Sequence, residues 1–349
     1  MYLQMKCNNY IKKKLVYLGF AFQHHKGTHA GYQHIKNYLP YDYIIDCQKW
    51  FDDNSKGYKN LIDHIIRKIC FMFLGSERFP FYLIKCIWLS FFHKNLIIHF
   101  VHTENTFFSL VHLIPRRTKV VCTLHQPFSW YNQRWIKRLH RANKIILLSD
   151  KEILLFREAL NNEHVYYIPH GIDTDYYQPG EYKKNGKISI LTVGNWLRDY
   201  QLAGEVYKSL LAYNKNVEIN IVASSVSKAD FIADNRIHVW NGISDEQLRQ
   251  LYRQSDCLFL PLKRFTANNA LLEAASCGCN IVIASDYNDN SYIPSQYLHI
   301  CPLKEQACVD NIRKIVKNRE PNLALRQFII DYYDWHLIGQ ETYKLLEEK

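Results

Sequence analysis

The chain has 349 residues, 48% of them hydrophobic and 22% charged, which is material for two globular cores; it shows no low-complexity segment and no repeat in the solenoid range. Its net charge of +11 is uneven: residues 1–150 hold 22 Lys and Arg against 8 Asp and Glu, a net +14, while residues 151–349 hold 22 against 25, a net −3. A basic first half calls for an acidic partner, but the aromatics lie in apolar runs and no nucleic-acid module is recognisable, so nucleic-acid binding is set aside.

The N-terminus "MYLQMKCNNYIKKK" is polar, and the apolar run after it, "LVYLGFAF", is too short for export or for spanning a bilayer. Strands are expected at 15–19, 43–46, 96–101, 119–124 and 144–149. Between the second and third of these, Leu61 to Val101 is the most apolar region of the chain, interrupted by Arg67, Lys68, Glu77, Arg78, Lys85 and Lys94. No uncharged stretch there reaches membrane-spanning length. Its mixture of Phe, Trp and Tyr with basic residues suits a helix lying in a membrane interface, and equally suits helices covering a sheet.

Five further strands are expected at 188–194, 217–223, 236–240, 257–262 and 280–285. Helical spacing fills the gaps, as in "SDEQLRQLYRQSD" (244–256), where Ser244 can cap and Leu248 and Leu251 repeat at helical distance. Strand alternating with helix predicts parallel sheets covered on both faces. Between the two sets of strands, "IPHGIDTDYYQPGEYKKNGK" (168–187) carries Pro169, Gly171, Pro179, Gly180 and Gly186, the punctuation of a linker. The expected division is a first domain over 1–168, a linker over 169–187, a second domain over 188–330 and a closing helix over 331–349. Two such domains facing each other would set the carboxyl ends of both sheets on one cleft, where open α/β sheets bind ligands.

Ten cysteines are scattered without a CxxC pair, mostly in apolar runs such as "KVVCTL". Reduced, buried thiols of a cytosolic protein fit this better than disulfides or zinc. Cys277-Gly-Cys279 reads as small-residue packing.

The stretch "FTANNALLEAASCGCNIVIASD" (265–286) is the most informative. Asn268 or Asn269 can cap a helix whose free amides form an anion site, and Gly278 suits its end. Glu273 follows Asn269 by four residues and projects on the same side. An acid one turn behind a phosphate-sized site could accept hydrogen bonds from sugar hydroxyls; a surface glutamate on an ordinary helix is the plain alternative.

Taken with three other segments, "HHKGTHAGYQHI" (24–35), "VCTLHQP" (121–127) and "NEHVYYIPHGIDTDYYQP" (162–179), this stretch resembles the retaining glycosyltransferases of the GT-B fold, in particular glycosyltransferase family 4. The tail "YYDWHLIGQETYKLLEE" is similar to the last helix of that fold, which crosses back to the first domain. The resemblance implies two doubly wound Rossmann-like domains, with the donor held by the second. It implies that Glu273 holds the ribose, that the helix N-terminus at Asn268 and Asn269 meets the diphosphate, and that His125 sits beside the reacting sugar.

Two departures stand out. The family usually places an acid eight residues before the one matching Glu273, and here that position is Phe265; sugar recognition would then fall to Thr266, Lys263 or Arg264. Where the family tends to carry an Arg and a Lys after the first strand of the second domain, this chain has Asn195 and Tyr200 and offers Arg198 instead, a guanidinium suited to bidentate contact with a diphosphate. Lys263 and Arg264 are further candidates. His24, His25 and His29 are placed on the acceptor side, while His99 and His102 read as structural.

No DxD-type motif stands in a persuasive place, so neither a metal nor another cofactor is expected. The expected partners are a nucleoside diphosphate sugar and a glycan or lipid-linked acceptor. The basic first half favours a phosphorylated lipid acceptor and peripheral contact with the anionic inner face of the cell membrane. A GT-B protein that binds without turnover, or another GT-B enzyme such as a nucleotide-sugar epimerase, is the alternative.

Overall fold

The computed structural model describes residues 13–57, 59–181, 186–263, 268–286 and 293–348. The chain divides into two compact units, one made of Met1–Ala21, Ile35–Ile168 and Gln340–Lys349, the other of Phe22–His34 and Pro169–Gly339.

The first unit is built on a parallel sheet of β1 (Lys14–Gly19), β2 (Tyr43–Asp46), β3 (Leu96–Phe100), β4 (Lys119–Leu124), β5 (Lys144–Leu147) and β6 (Val165–Tyr167), in the order β2-β1-β3-β4-β5-β6. Helices α1 (Gln48–Ser55), α2 (Leu61–Leu74), α3 (Phe81–Phe92), α4 (Thr103–Thr106), α5 (Gln133–Leu139) and α6 (Ile153–Leu160) connect the strands. Every residue of β3 is buried, as is every residue of β4 after Lys119, because both faces of a parallel sheet are covered.

The second unit repeats the plan with β7 (Ile188–Val193), β8 (Val217–Val222), β9 (Ile237–Trp240), β10 (Cys257–Pro261), β11 (Ile281–Ala284) and β12 (His299–Cys301), in the order β12-β11-β10-β7-β8-β9, again parallel. Its helices are α7 (Tyr200–Tyr213), α8 (Asp245–Gln254), α9 (Asn269–Ser276), α10 (Glu305–Ile315) and α11 (Leu323–Tyr333). Alternation along β10 shows why the strand is apolar throughout. Leu258 and Leu260 enter one core with Leu271 and Leu272 of α9 and Ile329 of α11, while Cys257 and Phe259 enter the opposite core with Val206 of α7 and Ile312 of α10.

Six strands per sheet replace the five read from sequence. The additions, β6 and β12, are three-residue edge strands, too short to show a period of two.

Helix α12 (Trp335–Glu347) starts in the second unit and ends in the first. At its start, Ile172 donates its amide to the Tyr333 carbonyl at 2.8 Å, and Trp335 donates to the Ile172 carbonyl at 3.1 Å. The indole of Trp335 lies so close to Gly171 that a Cβ there would fall 2.3 Å from the ring, which explains glycine at this position. At the far end, Nζ of Lys144 donates to the carbonyls of Leu345 (2.7 Å) and Glu348 (3.1 Å), a cation set against a helix C-terminus.

Candidate functional site

In the second sheet β7 and β10 are neighbours, and the chain proceeds from them in opposite directions, to β8 and β9 on one side and to β11 and β12 on the other. Ligands of doubly wound sheets bind at the carboxyl ends of the strands at such a reversal. The loops leaving β7 and β10 meet there. Arg198 forms a bridge with Leu262, Asp199 donates its amide to the Pro261 carbonyl at 2.9 Å, and Lys263 donates to the Leu197 carbonyl at 3.0 Å. Two residues of this loop take left-handed backbone: Gly194 at φ 104° and, less usually, Leu197 at φ 56°. A Cβ at Gly194 would meet the Arg198 guanidinium at 2.9 Å, so the glycine also makes room for that side chain.

Arg198 folds back under the loop. Its Nε donates to the Val193 carbonyl at 3.0 Å, Nη1 to the Trp196 carbonyl at 3.1 Å and Nη2 to Oδ1 of Asn268 at 3.3 Å. That same Oδ1 accepts the Leu271 amide at 3.3 Å and so caps α9. Nδ2 of Asn268 is buried and has no hydrogen-bond partner among the described residues. A guanidinium, an unpartnered buried amide and a helix N-terminus thus converge on one spot, and all three favour an anion. Burial lowers the pKa of Arg198.

The structure therefore brings Arg198 and Asn268 together as the site reading requires. Asn269 sits on the first turn of α9 with Nδ2 3.5 Å from Nε2 of His25. Lys263 has an exposed side chain beside the same loop. Thr266, Arg264 and Phe265 lie outside the described residues.

Glu273 is buried one turn into α9, where it accepts a hydrogen bond from the Tyr252 hydroxyl of α8 at 2.8 Å. Burial pushes its carboxyl up from the ordinary range to about 7; the Tyr252 bond opposes the shift and the charge of Asp245 adds to it. Asp245, at the start of α8, accepts from the Tyr177 hydroxyl at 3.1 Å. Two tyrosines and two acids thus form a polar cluster in an otherwise apolar interior.

The cluster also holds the glycine-bearing loop. Oδ2 of Asp245 accepts the amide of His29 at 2.6 Å, and Nδ1 of His29 lies 2.6 Å from Oδ2 of Asp173. The His29 ring stacks on Tyr176 with centroids 3.5 Å apart, and Arg249 lies 4.2 Å from the centroid of the same tyrosine. His29 is a strut that ties residues 22–34 to the rest of the second unit.

In the first unit, His125 follows β4. Its Nε2 lies 2.8 Å from the Val101 carbonyl, which can only accept, so the neutral ring carries its proton there and its lone pair on Nδ1. Its amide and that of Gln126 donate to Oε1 of Glu104, at 2.5 and 3.0 Å, and the Tyr131 hydroxyl donates to the same oxygen. The ring stacks on His102 at 5.1 Å. His99 is buried between the Tyr41 and Thr123 hydroxyls, and burial lowers its pKa to about 3, a neutral structural histidine.

Comparison with known proteins adds a family. The model of Glycosyltransferase Family 4 matches residues 45–176. A glycosyltransferase from Rickettsia africae superposes with a TM-score of 0.65 at 14% identity, covering 97% of this chain and all of the other. HepE of Anabaena, solved with UDP and glucose, gives 0.64 at 13% identity, covering 97% of this chain and 100% of its own. The chain has the GT-B fold, and over residues 45–176 it matches glycosyltransferase family 4. One component of human phosphatidylinositol N-acetylglucosaminyltransferase is 19% identical over 277 residues; this chain spans 71% of its own length in that match and 57% of the length of that relative.

Several residues around this candidate site escape a reading by motif. Tyr252 and Asp245 lie on α8, 21 and 28 residues before Glu273, and only the packing of α8 on α9 joins them. Glu104 has a sequence signal in hindsight, as the single acid in "FVHTEN" directly after β3.

Proposed function

We propose that the protein is a retaining glycosyltransferase, moving a sugar from a nucleoside diphosphate sugar to a hydroxyl of a glycan or lipid-linked acceptor, at the cytoplasmic face of the membrane in cell-surface polysaccharide or lipopolysaccharide synthesis. One observation carries the reading: Arg198, the unpartnered amide of Asn268 and the N-terminus of α9 converge at the reversal of the second sheet. The diphosphate of the donor occupies that spot, and the charge released on the departing diphosphate is met by donors already in place. That HepE was solved with UDP supports a nucleotide at this fold position. Glu273 serves the ribose from behind the helix start, and Lys263 and Thr266 take up the sugar recognition left open by Phe265. His125, with Nε2 2.8 Å from the Val101 carbonyl, serves beside the reacting sugar. The net +14 of residues 1–150 favours a phosphorylated, lipid-linked acceptor. Among the described residues no helix is long and apolar enough to cross a membrane.

The test is nucleotide binding followed by turnover. UDP, GDP, ADP and dTDP are screened for a rise in melting temperature, and release of the nucleoside diphosphate is followed for the matching sugars. Arg198→Lys retains the charge but loses the planar fork, and weakens nucleotide binding about 10- to 100-fold, the worth of a charge-assisted hydrogen bond. Absence of stabilisation by any nucleotide overturns the reading. Stabilisation without release from any donor, acceptor present, favours a GT-B protein that binds but does not turn over.

A further inference from the structure

Helix α2 wears its polarity reversed. In α2 the residue best shielded from water is Arg67, 3% exposed, whose guanidinium reaches Asp63 (3.1 Å), Glu77 (3.3 Å) and the Gly57 carbonyl (3.1 Å). Its immediate neighbour Ile66 is 53% exposed. Leu61, Ile62, Ile65, Ile66, Ile69 and Phe73 recur at helical spacing and all face solvent, which makes one continuous apolar stripe on the outside of the helix. Helix α3 is apolar on two faces. Tyr82, Leu83, Cys86 and Leu89 are buried, while Phe81, Ile84, Trp88, Phe91 and Phe92 stand outward, Trp88 at 59% exposure. Both helices rest on the turn Ser109–Leu113, whose Leu113 is exposed as well.

An outward face of this size on a monomer marks an interaction, and the charges around it say with what. Across residues 59–94 the acids Asp63 and Glu77 both pair with Arg67, Asp63 largely covered and Glu77 with its side chain 45% exposed, and Arg78 also approaches Asp63. Lys59, Lys68, Lys85 and Lys94 remain exposed among the apolar residues. A protein groove that accepted the stripe would have to bury Lys68 and Lys85 with it. A bilayer interface takes both, because the lysine stems lie along the apolar layer while their ammonium groups reach the headgroups.

We propose that the outer faces of α2 and α3 form a docking surface for an anionic bilayer, with the aromatic and aliphatic side chains seated at the headgroup–acyl boundary and the four lysines against anionic headgroups. The inference rests on the first unit alone and is independent of the glycosyl-transfer reading.

Co-sedimentation of the full chain with phosphatidylcholine vesicles, with and without phosphatidylglycerol, tests it without donor or acceptor. Binding is expected to the mixed vesicles and to weaken with salt. Ile66→Glu with Trp88→Glu removes seated apolar area at two solvent-facing positions and lowers binding at least about tenfold. Lys68→Glu with Lys85→Glu lowers it by about fivefold or more per residue on the mixed vesicles and leaves pure phosphatidylcholine unaffected. Thermal melts show that both variants remain folded. Failure of the parent to bind mixed vesicles, or binding equal in parent and Ile66→Glu/Trp88→Glu, overturns the proposal. So does a parent dimer that the same pair of substitutions dissociates, for then the face is covered by a second copy.

Discussion

Glu273 offers a direct test of how the interior of the second unit is built. Glu273→Gln keeps the size of the side chain and an oxygen for the Tyr252 hydroxyl but removes the titration. With its carboxyl moved from 4.5 to about 7, the folded protein binds a proton more firmly than the unfolded chain does. Between those two values the folded state holds more protons, so stability falls as pH rises. Below about 4.5 both states are protonated and the effect is absent; above about 7 it is fully present. At about 1.4 kcal/mol per unit the penalty reaches about 3 kcal/mol, an order-of-magnitude figure for a buried acid. Thermal melts of parent and variant from pH 4.5 to 8.5 read it out. The variant melts at the same temperature as the parent at the acid end and higher at pH 8, by about 2–4 °C for each kcal/mol. His99, whose pKa is lowered to about 3, also contributes to the profile, in the opposite direction, because the fold keeps it neutral and loses stability as pH falls below its ordinary value. Being common to both proteins, it drops out of the difference. A melting difference that stays constant across the range would refute the reasoning, since the carboxyl would then not titrate in that window.

Other outcomes follow from the same contacts. Gly171→Ala drives a methyl group into Trp335 and destabilises by about 1–3 kcal/mol, seen as a lower denaturant midpoint; in a Trp335→Leu background most of that effect disappears, and the double-mutant cycle measures the coupling. Lys144→Met keeps the stem and removes the cation from the end of α12, so amide exchange over residues 340–348 accelerates about tenfold while the core of the first sheet is unchanged. Asp245→Asn weakens the hold on the His29 amide and withdraws a charge from Glu273. Exchange over residues 22–34 rises, and the pH window of the parent–Glu273→Gln difference moves down when both are compared in the Asp245→Asn background.

Much of the architecture was legible because buried parallel strands are apolar on both faces, and runs such as "KVVCTL" and "CLFLP" have no other economical use. The cap at Asn268 was legible from helix-start chemistry, and Arg198, chosen as the guanidinium nearest a place where the family expects a cation, lies against that cap. What spacing could not show is pairing over long separations. Tyr252 meets Glu273 only because α8 lies on α9, and His29 meets Asp245 across 216 residues of chain. The region from Leu61 to Val101 was readable as interface or as cover for a sheet, and α3 does present one face to the protein and a second, equally apolar, to the outside.

Neither unit is a continuous length of chain. Residues 22–34 leave the first sheet directly after β1 and are built into a body whose other parts begin at residue 169, and the ammonium of Lys144 finds its helix-end carbonyl 201 residues later, at Leu345. A ribosome delivers the first six strands long before it delivers the turn of helix that completes them, so during synthesis the first unit waits, unfinished, for residues 340–349. The two halves cannot be separated at residue 168 by a protease or a cloning boundary without each losing a piece to the other. The closures that complete each unit are long, 216 residues from His29 to Asp245 and 201 from Lys144 to Leu345, and long closures are the ones a chain is slowest to make.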